Sequence, residues 1–169
     1  AMTDTGYWVD SDNASRLGPV HWMRNDDLVP IDNEYNHPAG GVLVQPWSVN
    51  SYTVDHGFNR GSYGLLSTAE DYWKFTQAML DGVILNGERI LGSRTVDFMA
   101  SNHLTEEQIF SSATGFGLGF AVVNDKGQLG FPFSEDTFYW GGAAATTFWI
   151  DPEEDLVVVG MTQHMAVPG

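Results

Sequence analysis

The chain has no cysteine, so it can form neither a disulfide nor a thiolate metal site, and it carries no mark of its redox compartment. Basic residues are scarce: 7 Lys and Arg stand against 22 Asp and Glu, for a formal charge of −15. A surface of that sign repels phosphate backbones and anionic headgroups, which argues against nucleic acid and against membrane as partners. The plain reading of the acidity is that it keeps the chain in solution; the sharper one is attraction of cationic substrates. No run approaches the roughly 18 apolar residues of a membrane-spanning helix. The opening AMTDTGYWVD has neither the basic nor the apolar region of a secretory signal. Internal repeats, low-complexity tracts and domain linkers are not seen either.

What is present suffices for one domain with a real core: 169 residues, 43% of them apolar and 13% aromatic. Residues 1–60 are rich in Asn, Asp, Gly and Pro and read as an irregular connection draped over something else. Short strands are expected at 20–23 and 28–31, split by Asn25, Asp26 and Asp27, with another at 42–45. A helix follows. Ser67 lies three residues before Glu70, the spacing of a capping box. Ala69, Tyr72, Trp73, Thr76, Met79 and Leu80 recur at helical steps, and Gly82 supplies the stop. Ser93 is expected to cap a second helix over 94–102, with Val96 and Met99 turned inward, after a tight connection at 85–91.

From Thr114 the pattern turns to strand. In GFGLGFAVV, Phe116, Leu118, Phe120 and Val122 fall on one face, and Gly115, Gly117, Gly119 and Ala121 on the other. That second face is nearly bare and admits another element closely. A turn at 124–127, a short return strand at 128–131, and two long strands at 144–150 and 155–163 complete the reading, the last two joined by Asp151, Pro152, Glu153 and Glu154. Leu156, Val157, Val158 and Val159 are apolar on both faces, which predicts a central strand.

Most site signatures are absent. The spaced glycines 115, 117 and 119 lie within a strand pattern rather than between strand and helix, so close packing accounts for them better than a dinucleotide. There is no G-x-S-x-G elbow and no phosphate-binding loop. Asp32, Glu34 and His37 have ligand chemistry but no metal-site spacing. His21, His56, His103 and His164 are scattered, and Asn13-Ala14-Ser15 is a glycosylation sequon of a kind common by chance. Neither a metal nor any other cofactor is expected. Trp8, Trp22, Trp47 and Trp140 lie near turns, as in a carbohydrate-binding module, although core and cleft lining explains them more simply. One oddity is left: the strong apolar stretch FYWGGAAATTFWIDPEEDLVVVGMTQ begins with poor strand formers, Gly141, Gly142 and a run of alanines. Backbone stripped in this way lies close either to another part of the protein or to a ligand.

Three stretches resemble the C-terminal half of the serine β-lactamase-like hydrolases, a group that takes in class C β-lactamases, penicillin-binding-protein relatives and β-lactamase-fold esterases. MTDTGYWV is similar to the segment after that family's tyrosine motif. GLLSTAEDYWKFTQAMLDGVILNGERILGSRTVDFMASNHL is similar to its helix pair, and GFGLGFAVV with the Trp140–Gln163 stretch to its final strands. The resemblance implies an α+β fold with an antiparallel sheet packed with helices. It also implies that residues 1–169 are the C-terminal portion of one catalytic domain, with a connection at 1–60, helices at 61–105 and strands at 114–165. No serine here has a lysine three residues on, and no tyrosine has Asn or Ser two residues on. The S-x-x-K nucleophile motif, the tyrosine motif and the terminal helix of the family are therefore expected to belong to other parts of the protein.

By resemblance, Trp140, Gly141 and Gly142 line the substrate edge and Ala143 donates its backbone N–H to the oxyanion. Where the family's usual motif starts with Lys or His followed by Thr or Ser, this chain has Trp140-Gly141, with no cation and no hydroxyl. The expected activity is that of a carboxylesterase working through an acyl-enzyme on a serine outside this chain. A non-catalytic relative that binds a peptide or a peptidoglycan-like ligand is the alternative, and an aromatic-rich binding module a third. Expected partners are a small-molecule ester or amide, the N-terminal half of the same domain, and other copies of this chain held through exposed apolar faces. The chain alone is expected to be inactive.

Overall fold

In the computed structural model, the described residues are 1–24, 26–31, 52–59, 61–82, 84–85, 87–105, 107–108 and 110–165. The strand expected at 42–45, the candidate ligands Asp32, Glu34 and His37, and Trp47 lie outside them. Along the chain come a 3-10 turn Ala14–Arg16, β1 His21–Arg24, β2 Asp27–Pro30, α1 Ala69–Leu80, β3 Ile84–Leu85, β4 Glu88–Arg89 and α2 Ser93–Met99. There follow β5 Thr114–Phe116, β6 Ala121–Val123, α3 Lys126–Leu129, β7 Phe138–Gly141, β8 Thr147–Asp151, β9 Leu156–Gly160 and β10 His164–Met165. These elements fall into two compact units. One comprises Ala1–Thr3, Ala69–Gly142 and Thr147–Gly160, and the other Asp4–Thr68, Ala143–Thr146 and Met161–Gly169.

In the second of these units, β1 and β2 form the expected hairpin, turned through Asp26 at φ +67°. An Asp tolerates this left-handed conformation better than most residues. The hairpin closes with the Ile31 N–H on the Val20 carbonyl at 2.8 Å, and both residues are buried. β10 adds to β1 in parallel, with His21 opposite His164 and Trp22 opposite Met165. Far ends of the unit meet where Gly6 and Leu66 exchange backbone hydrogen bonds at 3.1 and 2.7 Å.

The other unit contains the larger core. Strands β5 to β9 form an antiparallel sheet in sequence order, joined by short turns except between β6 and β7, where the connection carries α3. Phe120, Val122, Phe138, Phe148 and Ile150 pack from one face of the sheet against Met79 of α1 and Val96 of α2. The Tyr72 ring of α1 meets Phe148 at 5.3 Å. The opposite face carries a line of rings, with Phe133 touching Phe131, Tyr139 and Trp149 at 5.9, 5.9 and 5.3 Å. Aromatics are therefore distributed over both faces of a helix-backed sheet, which rules out the free-standing aromatic binding module.

Several expectations need correction. GFGLGFAVV is not one strand but a hairpin. Gly117 donates to the Phe120 carbonyl at 2.7 Å, Gly119 takes φ +97°, and Leu118 is thrown outward instead of into the core. Period-2 alternation cannot distinguish a strand from two strands folded about a glycine turn. The return strand expected at 128–131 is instead the short helix α3, nucleated by the Asp125 side chain, which accepts from the Gly127 and Gln128 N–H groups at 2.9 and 3.2 Å. An Asp side chain that bonds nearby backbone N–H groups in this way competes with a ladder. α1 begins at Ala69, and Ser67 spends its hydroxyl on Thr5 Oγ1 at 2.9 Å and on the Thr68 carbonyl, so the capping frame is shifted from the one expected. Trp73 of α1 is exposed, while Asp71 and Ala78 are buried. α2 starts at Ser93 itself, with Gly92 at its cap, and ends at Met99.

The expected central strand also moves. Among the described residues β9 is the last strand of its sheet. Its apolar character comes from Val157 and Val159 packing on the core, with Val158 opposite Trp149 on the other face. Both faces are used, and among the described residues one edge is paired.

The bare face of β5 has the use foreseen for it. A Cβ on Gly117 would run into the Met99 carbonyl oxygen, and one on Gly115 into the Asn102 side chain. Asn102 Oδ1 instead accepts the N–H groups of Leu104 and Phe116 at 2.9 and 3.1 Å. Met99 accepts the Leu118 N–H at 2.9 Å, and the His103 N–H donates to the Phe116 carbonyl at 2.9 Å. The end of α2 is thus stitched to β5. Gly117→Ala is expected to cost about 1–3 kcal/mol, since backbone cannot move aside as a side-chain tip can. Gly61 has nothing within 4 Å of an added Cβ, so Gly61→Ala serves as the neutral control. Urea midpoints of the two variants check this; an unchanged midpoint for Gly117→Ala would mean that α2 is not seated on β5.

Candidate active site

The Val123 N–H donates to the Thr137 carbonyl at 2.9 Å, and that bond sets the parity of β7. In an antiparallel ladder alternate residues turn their N–H and C=O to the same neighbour. Counting by twos from Thr137, Tyr139 and Gly141 face β6, while Phe138 and Trp140 face β8. Pairing with β8 runs the whole length of β7, down to Gly141 opposite Thr147. Pairing with β6 stops at Tyr139 opposite Ala121. Among the described residues, the backbone of Gly141 therefore projects past the end of the ladder on the β6 side, and Gly141 and Gly142 are both exposed.

This placement bears on the oddity in the sequence. Trp140 and Gly141 end one strand, and Gly142 leads into the turn before β8 instead of opening a long strand at 144. Ala143 opens that turn and Ala145 has φ +58°. Within the unit that contains Ala143, the carbonyl of Ala144 is gripped twice. The His164 N–H donates to it at 3.2 Å, and the Thr162 hydroxyl also donates. Thr162 was not singled out from sequence. A hydroxyl two residues before β10 carries no recognisable pattern, and only the fold brings it back to the turn.

Trp140 is not alone. Its ring meets Phe116 edge-on, at 5.0 Å and 86°, and Phe110 at 5.9 Å and 48°, while Phe110 and Phe116 are 5.5 Å apart. Phe110 lies on an irregular segment with no periodicity, so sequence reasoning passed over it. Phe116 was placed on a strand face without reference to Trp140. Among the described residues, no Lys or Arg is seen to take part in this cluster. It presents apolar ring surface, and 39% of Trp140 is exposed.

The other candidates disperse. The described residues contain no group of three or more His, Asp or Glu able to hold a metal ion. His103 places Nε2 2.7 Å from the Phe98 carbonyl and packs on the Phe98 ring. His21 and His164 are strand partners in the smaller sheet. Asn13 of the sequon is tied to Asp10 and Arg16.

At the far end of β8 is Asp151, 3% exposed. Burial opposes its ionisation, but the N–H groups of Ser134 and Glu154, at 3.1 and 3.2 Å, outweigh that and hold its carboxyl below the usual carboxylate range. It fixes the turn after β8 and the loop before β7.

The chain belongs to the beta-lactamase family, whose model matches residues 1–168. Its similarity to curated relatives is moderate. Protein Rv1367c of Mycobacterium tuberculosis (strain ATCC 25618 / H37Rv) is 30% identical over 174 residues, which cover 96% of this chain and 40% of that protein. The chain thus spans about two fifths of the length of the curated relatives it matches. Among solved structures, EstCE1, a hydrolase with promiscuous acyltransferase activity, matches 97% of this chain and 42% of its own, with a TM-score of 0.77 and 22% identity. Simvastatin synthase (LovD) from Aspergillus terreus matches with a TM-score of 0.68 and 16% identity, over 98% of this chain and 42% of its own. A penicillin-binding protein homolog from Caulobacter crescentus gives 0.63 and 16%, over 98% and 44%. The fold is the β-lactamase/transpeptidase-like α+β fold implied by the sequence resemblance.

A carboxylate whose folded pKa is depressed adds stability above its unfolded pKa and loses it as pH falls through the folded value. The native urea midpoint is therefore expected to decline below about pH 4. Asp151→Asn is expected to cost about 1–3 kcal/mol at pH 7 and to flatten that acid decline. Equal acid slopes in the two proteins would show that Asp151 does not carry the effect.

Proposed function

We propose that the complete protein is a serine hydrolase, specifically a carboxylesterase that forms an acyl-enzyme on a serine outside these 169 residues. The observation that carries this reading is the end of β7. Backbone without side chains projects there beyond its neighbour strand, beside an indole and two phenyl rings. An oxyanion hole needs N–H donors at about 3 Å from the developing charge with nothing in between. Glycine at 141 and 142 leaves that approach open. Ala143, at the start of a turn whose next carbonyl is held by Thr162 and His164, is the donor assigned by resemblance.

The choice of ester over β-lactam rests on charge. A β-lactam presents a carboxylate, which the family's usual Lys or His and Thr or Ser are suited to grip. Trp140-Gly141 offers an apolar plate instead, suited to the acyl or alcohol part of a neutral ester. The likeness of the fold to EstCE1, a hydrolase with acyltransferase activity, is in keeping with acyl transfer. The residues assigned are Trp140, Gly141 and Gly142 for substrate contact and Ala143 for the oxyanion.

The 169-residue chain alone is expected to hydrolyse neither p-nitrophenyl butyrate nor a chromogenic cephalosporin above buffer. In the complete protein, Ala143→Pro removes the N–H with little added bulk and is expected to lower kcat at least about a hundredfold, as loss of one oxyanion donor does. Ala143→Gly keeps the N–H and should be near normal. A folded proline variant that retains most of its kcat would refute the assignment. Turnover by the isolated chain that a serine-directed phosphonate abolishes would place the nucleophile within it.

A further inference from the structure

Three rings meet beside the open end of β7, and their surroundings explain why they are held still. Phe116 is anchored through both backbone groups, its N–H on Asn102 Oδ1 at 3.1 Å and its carbonyl under the His103 N–H at 2.9 Å. Trp140 is fixed by its pairing with Phe148. Phe110 sits at the start of a loop closed by Ser111 and Thr114, whose backbones bond each other at 3.2 and 3.5 Å. The perpendicular contact of Phe116 with Trp140 sets the edge of one ring against the face of the other. Exposure is uneven. Phe116 is the sheltered support, whereas 50% of Phe110 and 39% of Trp140 are open.

We propose that Phe110, Phe116 and Trp140 form an aromatic subsite that selects a flat, uncharged ring on the substrate, with Phe110 as its most open ring. The proposal rests on the ester-hydrolase reading for the identity of the bond cleaved, but not for the ring preference itself. At centroid spacings of 5.0 to 5.9 Å the rings touch one another and leave no gap to enclose a cation. They make a wall, not a cage. An alkyl group against this wall gains only the removal of apolar area from water. A ring gains an offset or edge-to-face contact as well, about 0.5–1.5 kcal/mol beyond area. At 1.4 kcal/mol per tenfold, that is about a two- to tenfold preference for an aromatic over a saturated ring of similar size.

The test reads binding, not turnover. The complete protein is labelled with 5-fluorotryptophan, and the resonance of Trp140 is identified by its loss in Trp140→Phe. Benzyl alcohol and cyclohexylmethanol, both neutral and close in size, are then titrated separately. The expected result is a shift of the Trp140 resonance with both, and about two- to tenfold tighter binding of benzyl alcohol. Phe110→Leu keeps the apolar bulk at a half-open position. It should lower the ratio, with Trp140 still offering a ring, while the remaining tryptophan resonances stay where they are. Equal affinities in the native chain, or a Trp140 resonance that both ligands leave unmoved, would overturn the proposal. So would a ring preference undiminished by Phe110→Leu. Failure of the complete protein to turn over esters would defeat the hydrolase reading and leave the ring preference standing, so the two are separable.

Discussion

The carbonyl of Met99 and the side chain of Asn102 occupy the space where Gly117 and Gly115 have no Cβ. With α2 pressed this close, the chain leaving β5 reverses through Leu118 and Gly119, and β6 starts only at Ala121. A strand that starts late leaves its other neighbour unpartnered at one end. β7 therefore outlasts β6 at Gly141. The same contact pins Phe116, which in turn braces Trp140. Both halves of the candidate site, the open backbone and the apolar wall, derive from one close approach between a helix end and a strand.

The asymmetry between the two ends of β7 follows the same logic. At its start, the loop before the strand is held by Asp151, a buried carboxylate surrounded by donors. At its end, glycine replaces side chains and the ladder stops on one side. A strand anchored at one end and bare at the other suits a surface that must keep its position while admitting a ligand.

Patterns that involve a single element were legible in the sequence, and those that involve two were not. Helical spacing located α1, the Asp and Asn residues after β1 located its turn, and glycine spacing correctly foretold that β5 would be approached closely. The alternation through Gly117 to Phe120 misled, because it runs on through the turn while the register inverts it: Phe116 lies opposite Ala121 and Gly115 opposite Val122, so Phe116 does not share a face with Val122. Val157 to Val159 misled for a different reason. Apolar residues on both faces report what covers a strand above and below, and nothing about whether its edges are paired. At the candidate site, Trp140 to Ala143 were visible as an anomaly of composition. Phe110 and Thr162 were not, because each lies in an irregular segment and matters only through a contact across the fold.

The bond between Val123 and Thr137 also governs how this region can change by insertion and deletion. The thirteen positions between them include a four-residue helix, an exposed stretch at 130–132, and Phe133 and Ser134, which are held by Trp149 and Asp151. The exposed stretch can gain or lose residues at little cost so long as those contacts and that pair re-form. Moving the pairing by a single residue would be another matter. Side-chain faces and hydrogen-bonding directions both invert with a slip of one. Trp140 would then point away from Phe148, and Gly141 would turn its N–H into β8. Length is free only at the exposed tip of this connection, and register in the strand it feeds is not free at all.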